Sequence, residues 1–213
     1  MRGEATRQLI LAAAERLFAE HGISAVPLRD IGIEAGQKNH AAVQYHFGDR
    51  EGVVKALMEF RGAESESVRT DIVTGLMAGG TVPVVADVVG AFVQPLAVHL
   101  APDNHYLAFL SLLITEQGGY EGLGGDVHTG ASVISLRALL GRLVPDVPEE
   151  VLDERWIVTL TSAVHALARY QAAQLRRPRR AKLDVLIADL IAYLSAGLVA
   201  PLVMGDPRVA ITD

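Results

Sequence analysis

Apolar residues recur at intervals of three and four along almost the whole chain, and glycine or proline marks each break in the rhythm. That spacing places one apolar stripe on a 3.6-residue helix, and it leaves no alternating run long enough for a strand. In the first segment Leu9, Ile10, Ala13, Ala14, Leu17, Phe18 and His21 form such a stripe, and Gly22 supplies a left-handed stop. Pro27 is placed for the first turn of a second helix, PLRDIGIEA, with Leu28 and Ile31 inward and Gly36 closing it. Asn39 suits the N-cap of a third, short helix ending near His46 and Phe47. Gly48 breaks the chain and Asp49 caps a long fourth helix with Val53, Val54, Leu57, Met58 and Phe60 at helical spacing, running to Gly79 and Gly80. Further helices are expected over about 82–101, kinked by Pro95, and over about 103–117, starting at Asp103. Three more follow over about 127–144, 148–176 and 180–199. GGYEGLGGD reads as a loop, RRPRR at 176–180 as a solvated turn and 205–213 as a loose tail. The fold class is all-α.

Composition then removes several kinds of chemistry. The 213 residues are half hydrophobic, enough for a substantial core. There is no cysteine, so neither disulfides nor thiolate metal sites can form. His99, His105 and His128 are scattered rather than set at metal spacing beside a carboxylate. The glycines of 118–125 lack the G-K-[ST] of a phosphate loop, and no G-x-S-x-G occurs. No metal, no cofactor and no enzymatic activity are therefore expected. The apolar run Val185–Met204 contains Asp189, follows Asp184 and carries Pro201 near its end, which suits a buried or interface helix better than a membrane span. MRGEATRQLI is polar and then periodic, a helix start rather than a signal peptide, so a cytoplasmic protein is expected. The net charge of −6 means that contact with nucleic acid must rest on a local surface. Even there, Arg2, Arg7, Arg16, Arg29, Lys38, Arg50 and Lys55 are offset by Glu4, Glu15, Glu20, Asp30, Glu34, Asp49, Glu51 and Glu59.

The stretch EAGQKNHAAVQYHFGDREGVVKAL, residues 34–57, is too polar for a core and too regular for a linker. Two short helices joined by a glycine-containing turn make a helix-turn-helix, and helices this short need backing from the first and fourth. With Ala42, Val43 and Phe47 turned inward, His40, Ala41, Gln44 and Tyr45 fall on the outer side. A glutamine can bond bidentately to adenine, and a small alanine permits close approach and contact with a thymine methyl. Lys38, His46 and Arg50 can reach phosphates, as can free N–H groups at helix starts, where Asn39 sits. The same residues would also serve an ordinary bend in a helical protein.

ILAAAERLFAEHGISAVPLRDIGIEAG followed by AVQYHFGDREGVVKAL resembles the amino-terminal domain of the TetR family of transcriptional regulators. The matching pieces are F-x-x-x-G at the end of the first helix, R-D-I-x-x-x-A-G in the second, Y-H-F, and a charged pair opening the fourth. The resemblance covers roughly residues 5–60. It implies a three-helix DNA-binding domain over 1–48 and a larger helical ligand-binding and dimerisation domain over 49–204. Two departures stand out. Val26, not a serine or threonine, precedes Pro27, and one extra residue lies between Gly36 and Y-H-F. If the extra residue is in the turn at Gln37 and Lys38, Gln44 stands where the family often reads a base with tyrosine. If it lies inside the third helix, Tyr45 takes that role.

The resemblance further implies a double-stranded DNA operator, a homodimer formed through the last two helices, and a small, largely apolar effector. WIVTLTSAVHALARYQAAQL and KLDVLIADLIAYLSAGLV carry the alanines, serines and glycine that allow close helix packing in a four-helix bundle. Candidate pocket residues are Phe92, Leu96, His99, Tyr106, Phe109, Leu110, Leu113, Trp156 and His165, each equally suited to plain core packing. The rival reading is an all-α carrier or enzyme whose pocket is the main function.

Overall fold

A computed structural model describes residues 2–39, 41–116, 130–174 and 182–202. His40, the glycine-rich stretch, RRPRR and the tail lie outside the described residues. The described residues form α-helices without strands. The helices are α1 (Arg2–His21), α2 (Leu28–Glu34), α3 (Ala42–Phe47), α4 (Arg50–Ala78), α5 (Val85–Leu96), α6 (Tyr106–Glu116), α7 (Ala131–Leu143), α8 (Glu149–Gln174) and α9 (Leu183–Leu198). None of these is long and apolar enough to cross a membrane.

The α1 stripe is rotated from the one read in the sequence. Ile10, Leu11, Ala14 and Phe18 are buried, whereas Leu9 is 56% exposed and His21 is also outward. The reason is that α1 is covered on two sides, by α2 and α4 and by α6, so its apolar face centres on Ile10 and Leu11. That double cover also buries Glu15. Its carboxylate is held by the Arg61 guanidinium at 2.5 Å and by the His105 N–H at 2.8 Å, because an unpaired buried charge would be costly. On α4, Val53, Val54 and Leu57 are buried as expected, but Phe60 is 45% exposed.

Helix boundaries on either side of residue 100 differ from the sequence reading. Pro95 does not kink a helix running to 101. The α-helix stops at Leu96 and tightens into a 3-10 turn, Ala97–Leu100. Proline has no N–H for the preceding turn, and the tighter winding starts where that ladder is cut. The helix after it starts at Tyr106 rather than Asp103. Asn104 accepts from the Tyr106 N–H through Oδ1 at 2.9 Å, and Glu15 takes the His105 N–H, so two free donors are satisfied there. In the larger part, α5 packs on α4, α7 and α9, while α6 lies between α1 and α8. Leu194 and Leu198 anchor α9, whose outer face stays open, with Val185 and Tyr193 exposed.

Candidate nucleic-acid interface

The turn after α2 is built from backbone. Gly36 has φ +68°, its N–H reaches the Ile33 carbonyl, and the Gln37 N–H reaches the Gly32 carbonyl, both at 2.9 Å. This paired closure is a Schellman motif, which requires the left-handed residue that glycine supplies. Pro27 stands one position before α2 as its N-cap, not inside the first turn, and offers no side-chain cap. Asn39 works near the start of α3 as expected, although α3 itself opens at Ala42. Its Oδ1 accepts from the Ala41 N–H at 3.0 Å and its carbonyl from the Ala42 N–H at 3.0 Å. Ala42 and Val43 are buried, and Val43 lies so close to Gly32 that a Cβ there would be 3.4 Å from Cγ2.

Lys38, Asn39, Ala41, Gln44 and Tyr45 are all exposed on one face of this unit, Tyr45 at 85%. The His46 ring is half-buried and stands nearly perpendicular to Tyr45 at 5.2 Å between centroids. Arg7 of α1 lays its guanidinium 5.1 Å from the Phe47 ring centre, a cation–π contact at the end of α3. Arg50, expected on phosphate, has a partner within the chain. Its Nη2 donates to the Val26 carbonyl at 2.9 Å, tying α4 to the entrance of α2.

Between α3 and α4 the chain makes a classic γ-turn. Gly48 has φ +79° and ψ −79°, and the Asp49 N–H donates to the Phe47 carbonyl at 3.0 Å. Asp49 then caps α4, accepting from the Gly52 N–H at 2.8 Å. The γ-turn folds the Phe47 carbonyl onto Gly52, where an added Cβ would sit 1.9 Å from that oxygen. Two glycines four residues apart thus fix how α3 leans on α4.

Local charge is settled by pairing. Arg16 pairs with Glu20 and Glu34, Arg29 with Asp30, and Arg61 with Glu15. Among the described residues no carboxylate pairs with Arg7, Lys38 or Lys55, and no cation pairs with Asp49 or Glu51, so single unpaired cations rather than a net positive patch are what this surface offers a polyanion.

Residues 10–57 match the sequence model of the bacterial regulatory proteins of the tetR family. The chain carries a TetR-family amino-terminal domain. A crystal structure of a protein from Mesorhizobium loti MAFF303099, assigned to the TetR-family transcriptional regulators, is similar with a TM-score of 0.50 and 14% identity. It covers 93% of this chain and 95% of that one, and at this identity it speaks for the fold alone. A TetR-family regulator from Streptomyces coelicolor A3 has 22% identity and a TM-score of 0.49 over 92% of this chain and 95% of its own. No curated protein is significantly similar to the chain.

Outside the TetR-type domain five of the nine pocket candidates fall into two groups of rings. His99, Tyr106 and Phe109 form a column of rings at 4.6 and 6.1 Å that ends on Phe18 of α1, again at 6.1 Å. Those rings join the larger part to the TetR-type domain. Phe92 and Trp156 form a second pair at 6.2 Å, with the Arg69 guanidinium 5.3 Å from the centre of the Phe92 ring. Leu96, Leu110 and Leu113 are buried, and His165 is half-buried with Nδ1 at 2.7 Å from the Ser111 hydroxyl. Burial, helped by the charges of Arg61 and Arg69, holds His99 down to about 4, so its ring is neutral.

Glu116 was not singled out by the sequence. It closes α6 and accepts from the Ile23 N–H, the Ser24 N–H and the Ser24 hydroxyl at 2.8–2.9 Å, all in the turn between α1 and α2. Burial alone would raise its carboxyl. The bonds from Ser24 and Ile23, with the Arg50 charge, outweigh that and hold it low. Nothing in the local pattern around residue 116 marks it, because its partners lie more than 90 residues away.

Proposed function

We propose that the protein is a ligand-responsive transcriptional repressor that binds a palindromic operator as a homodimer. The observation that carries this reading is the exposure of Gln44, Tyr45 and Ala41 on one face of α3, over a helix fixed from behind by Val43, Gly48 and Gly52. Gln44 reads a base edge in the major groove, and Tyr45 flanks it. Lys38, Asn39, His46 and the start of α4 meet the backbone phosphates, and His40, by its place in the sequence, joins Ala41, Gln44 and Tyr45 on the outer, DNA-facing side. Arg50 contributes charge from its place on the Val26 carbonyl.

Dimerisation runs through α8 and α9. In support, Val158, Val185, Tyr193 and Val199 are 51–75% exposed there, an apolar face that a second copy would cover. Two α3 helices must then sit about 34–36 Å apart, or a multiple, to meet successive major grooves. Residues 1–48 act as the DNA-reading part and 49–204 as the sensing and dimerising part, in a cytoplasmic protein without catalysis. A small effector among α4–α8 shifts α4, whose first turn backs α3 and whose far end carries Ile72 and Leu76, and so spoils the spacing.

The test is operator binding and crosslinking in parallel, with DNA taken from beside the protein's own coding sequence. Retained dimer with lower operator affinity on effector addition supports the mechanism. Loss of the dimer, or a flat salt dependence of DNA binding, overturns it. A carrier or enzyme would bind its small molecule unchanged after Gln44→Ala and would show no duplex affinity to lose.

A further inference from the structure

The interior of the larger part holds an arginine whose role the fold does not use up. Arg69 is 5% exposed, on the inner face of α4. Its Nη1 donates to Glu66 Oε2 at 3.0 Å, and its guanidinium lies over the Phe92 ring, next to Trp156. Its Nε is buried and meets no acceptor among the described residues. A buried donor of a charged group left without an acceptor costs more than an ordinary hydrogen bond returns, so the Arg69 Nε has capacity for an acceptor that the described residues do not supply.

The charges around it are already balanced. Glu66 faces Arg69, and its carboxylate is further held by the Ser132 N–H at 3.0 Å and the Ser132 hydroxyl at 2.6 Å. Glu15 faces Arg61. His99 is neutral, hydrogen-bonded to Ser65 at 2.7 Å, and Tyr106 keeps its proton because burial raises it. An additional carboxylate would bring a net negative charge into this interior with no cation to meet it. A neutral oxygen would not.

We infer that Arg69 is the polar anchor of the effector site, and that the effector is a neutral, flat, largely apolar molecule that offers one carbonyl-type oxygen to Nε while its body lies against Phe92 and Trp156. This rests on the effector-responsive reading above and narrows it to a chemical class. It excludes free carboxylic acids and phosphates as the preferred ligand, and it separates the Phe92–Trp156 pair, which touches the ligand, from the His99–Tyr106–Phe109 column, which does not.

Three probes of similar size test it on the full chain: methyl benzoate, benzoate and ethylbenzene. Trp156 is the single tryptophan of the chain and adjoins the site, so its fluorescence reports occupancy directly, with calorimetry as a second readout. Methyl benzoate should bind at least tenfold more tightly than either of the others. Arg69→Met removes a charge partner and risks misfolding, so the double variant Glu66→Gln with Arg69→Met, which keeps the balance, is measured beside it. In the double variant the ester and the hydrocarbon should bind alike. The inference is overturned if benzoate binds best, if the ester has no advantage in the native chain, if its advantage survives in the double variant, or if none of the probes binds. An ordered water alone on Nε in a crystal soaked with methyl benzoate would also overturn it. Operator binding measured on the same samples keeps the two readings apart. DNA binding without probe discrimination sinks only this inference, and probe discrimination without DNA binding sinks only the regulator reading.

Discussion

Replacing Gly52 by alanine places a methyl group 1.9 Å from the Phe47 carbonyl oxygen and 3.0 Å from its carbon. Ordinary contact begins near 3.4 Å, so the oxygen and the new carbon must part by 3.4 − 1.9 = 1.5 Å. Neither atom is on a flexible side chain. The Phe47 carbonyl is held by the γ-turn bond to Asp49, and Gly52 by its bond to the Asp49 carboxylate. Overpacking against rigid neighbours costs about 3 kcal/mol, and the better helix propensity of alanine returns up to about 1 kcal/mol, leaving a net loss of about 2 kcal/mol. For a chain of this size that is a fall of roughly 4–8 °C in Tm. The shift is absorbed where α3 meets α4, so operator affinity should fall by more than stability alone explains. Gly75→Ala is the control. It lies on the same helix with nothing within 4 Å, and the same chemistry there should leave Tm unchanged or raise it by a few degrees. Differential scanning calorimetry and fluorescence anisotropy on operator DNA measure both quantities. Equal Tm and equal affinity for Gly52→Ala and the native chain would refute the reasoning.

Glu116→Gln keeps the size of the side chain but removes the charge that accepts three bonds from the turn between α1 and α2. The carboxylate is mostly solvated, so the loss should be about 1 kcal/mol, seen as a small drop in Tm and a larger one in operator affinity. His99 gives stability a pH dependence. Its folded value of about 4 lies below the ordinary 6.5, so the unfolded chain binds the extra proton first and stability falls as pH drops through that window. The fall attributable to His99 is roughly 3 kcal/mol, and urea titrations of His99→Gln should show a shallower slope between those pH values. Gln44→Ala should cost about 1–3 kcal/mol of specific binding and relax one base pair per half-site, measured with a panel of altered operators. If Tyr45→Phe alters base preference and Gln44→Ala does not, the extra residue lies inside α3 rather than in the turn.

What could be read from the sequence was what acts within a few residues. Gly22, Gly36, Gly48 and Asp49 set helix ends through their own backbone or through an amide three positions away, and all four are where the pattern put them. The start of α6 is not visible in the local pattern because half of its cap comes from Glu15, 90 residues earlier. Leu9 lies outside the buried stripe because the centre of that stripe on α1 depends on α6, a partner that no local spacing reveals. The ring-bearing pocket candidates looked alike in sequence, yet Phe109 spends its face on Phe18 and Phe92 on Arg69. Which neighbour a buried ring meets is a property of helix crossing, not of composition. Arg50 shows the same limit. Its type suits a phosphate, and its added bond to the Val26 carbonyl, 24 residues earlier, is not encoded nearby.

The carboxylate that closes α6 bears on how such proteins could be recombined. A hybrid joined at residue 48 would take α1, α2 and α3 but leave behind the acceptor for the Ile23 and Ser24 amides and the ring that meets Phe18. The donor would arrive with an uncovered apolar face, and the host would need an acid at the corresponding end of its own sixth helix to receive it. Portability of the DNA-reading part therefore depends on residues 109 and 116 of α6 as well as on the α4 partners Arg50 and Arg61, none of which lies within the reading part itself. A graft that carries both α6 residues, together with the first turns of α4, keeps the contacts that cover Phe18 and cap the Ile23 and Ser24 amides, whereas one that carries neither loses them.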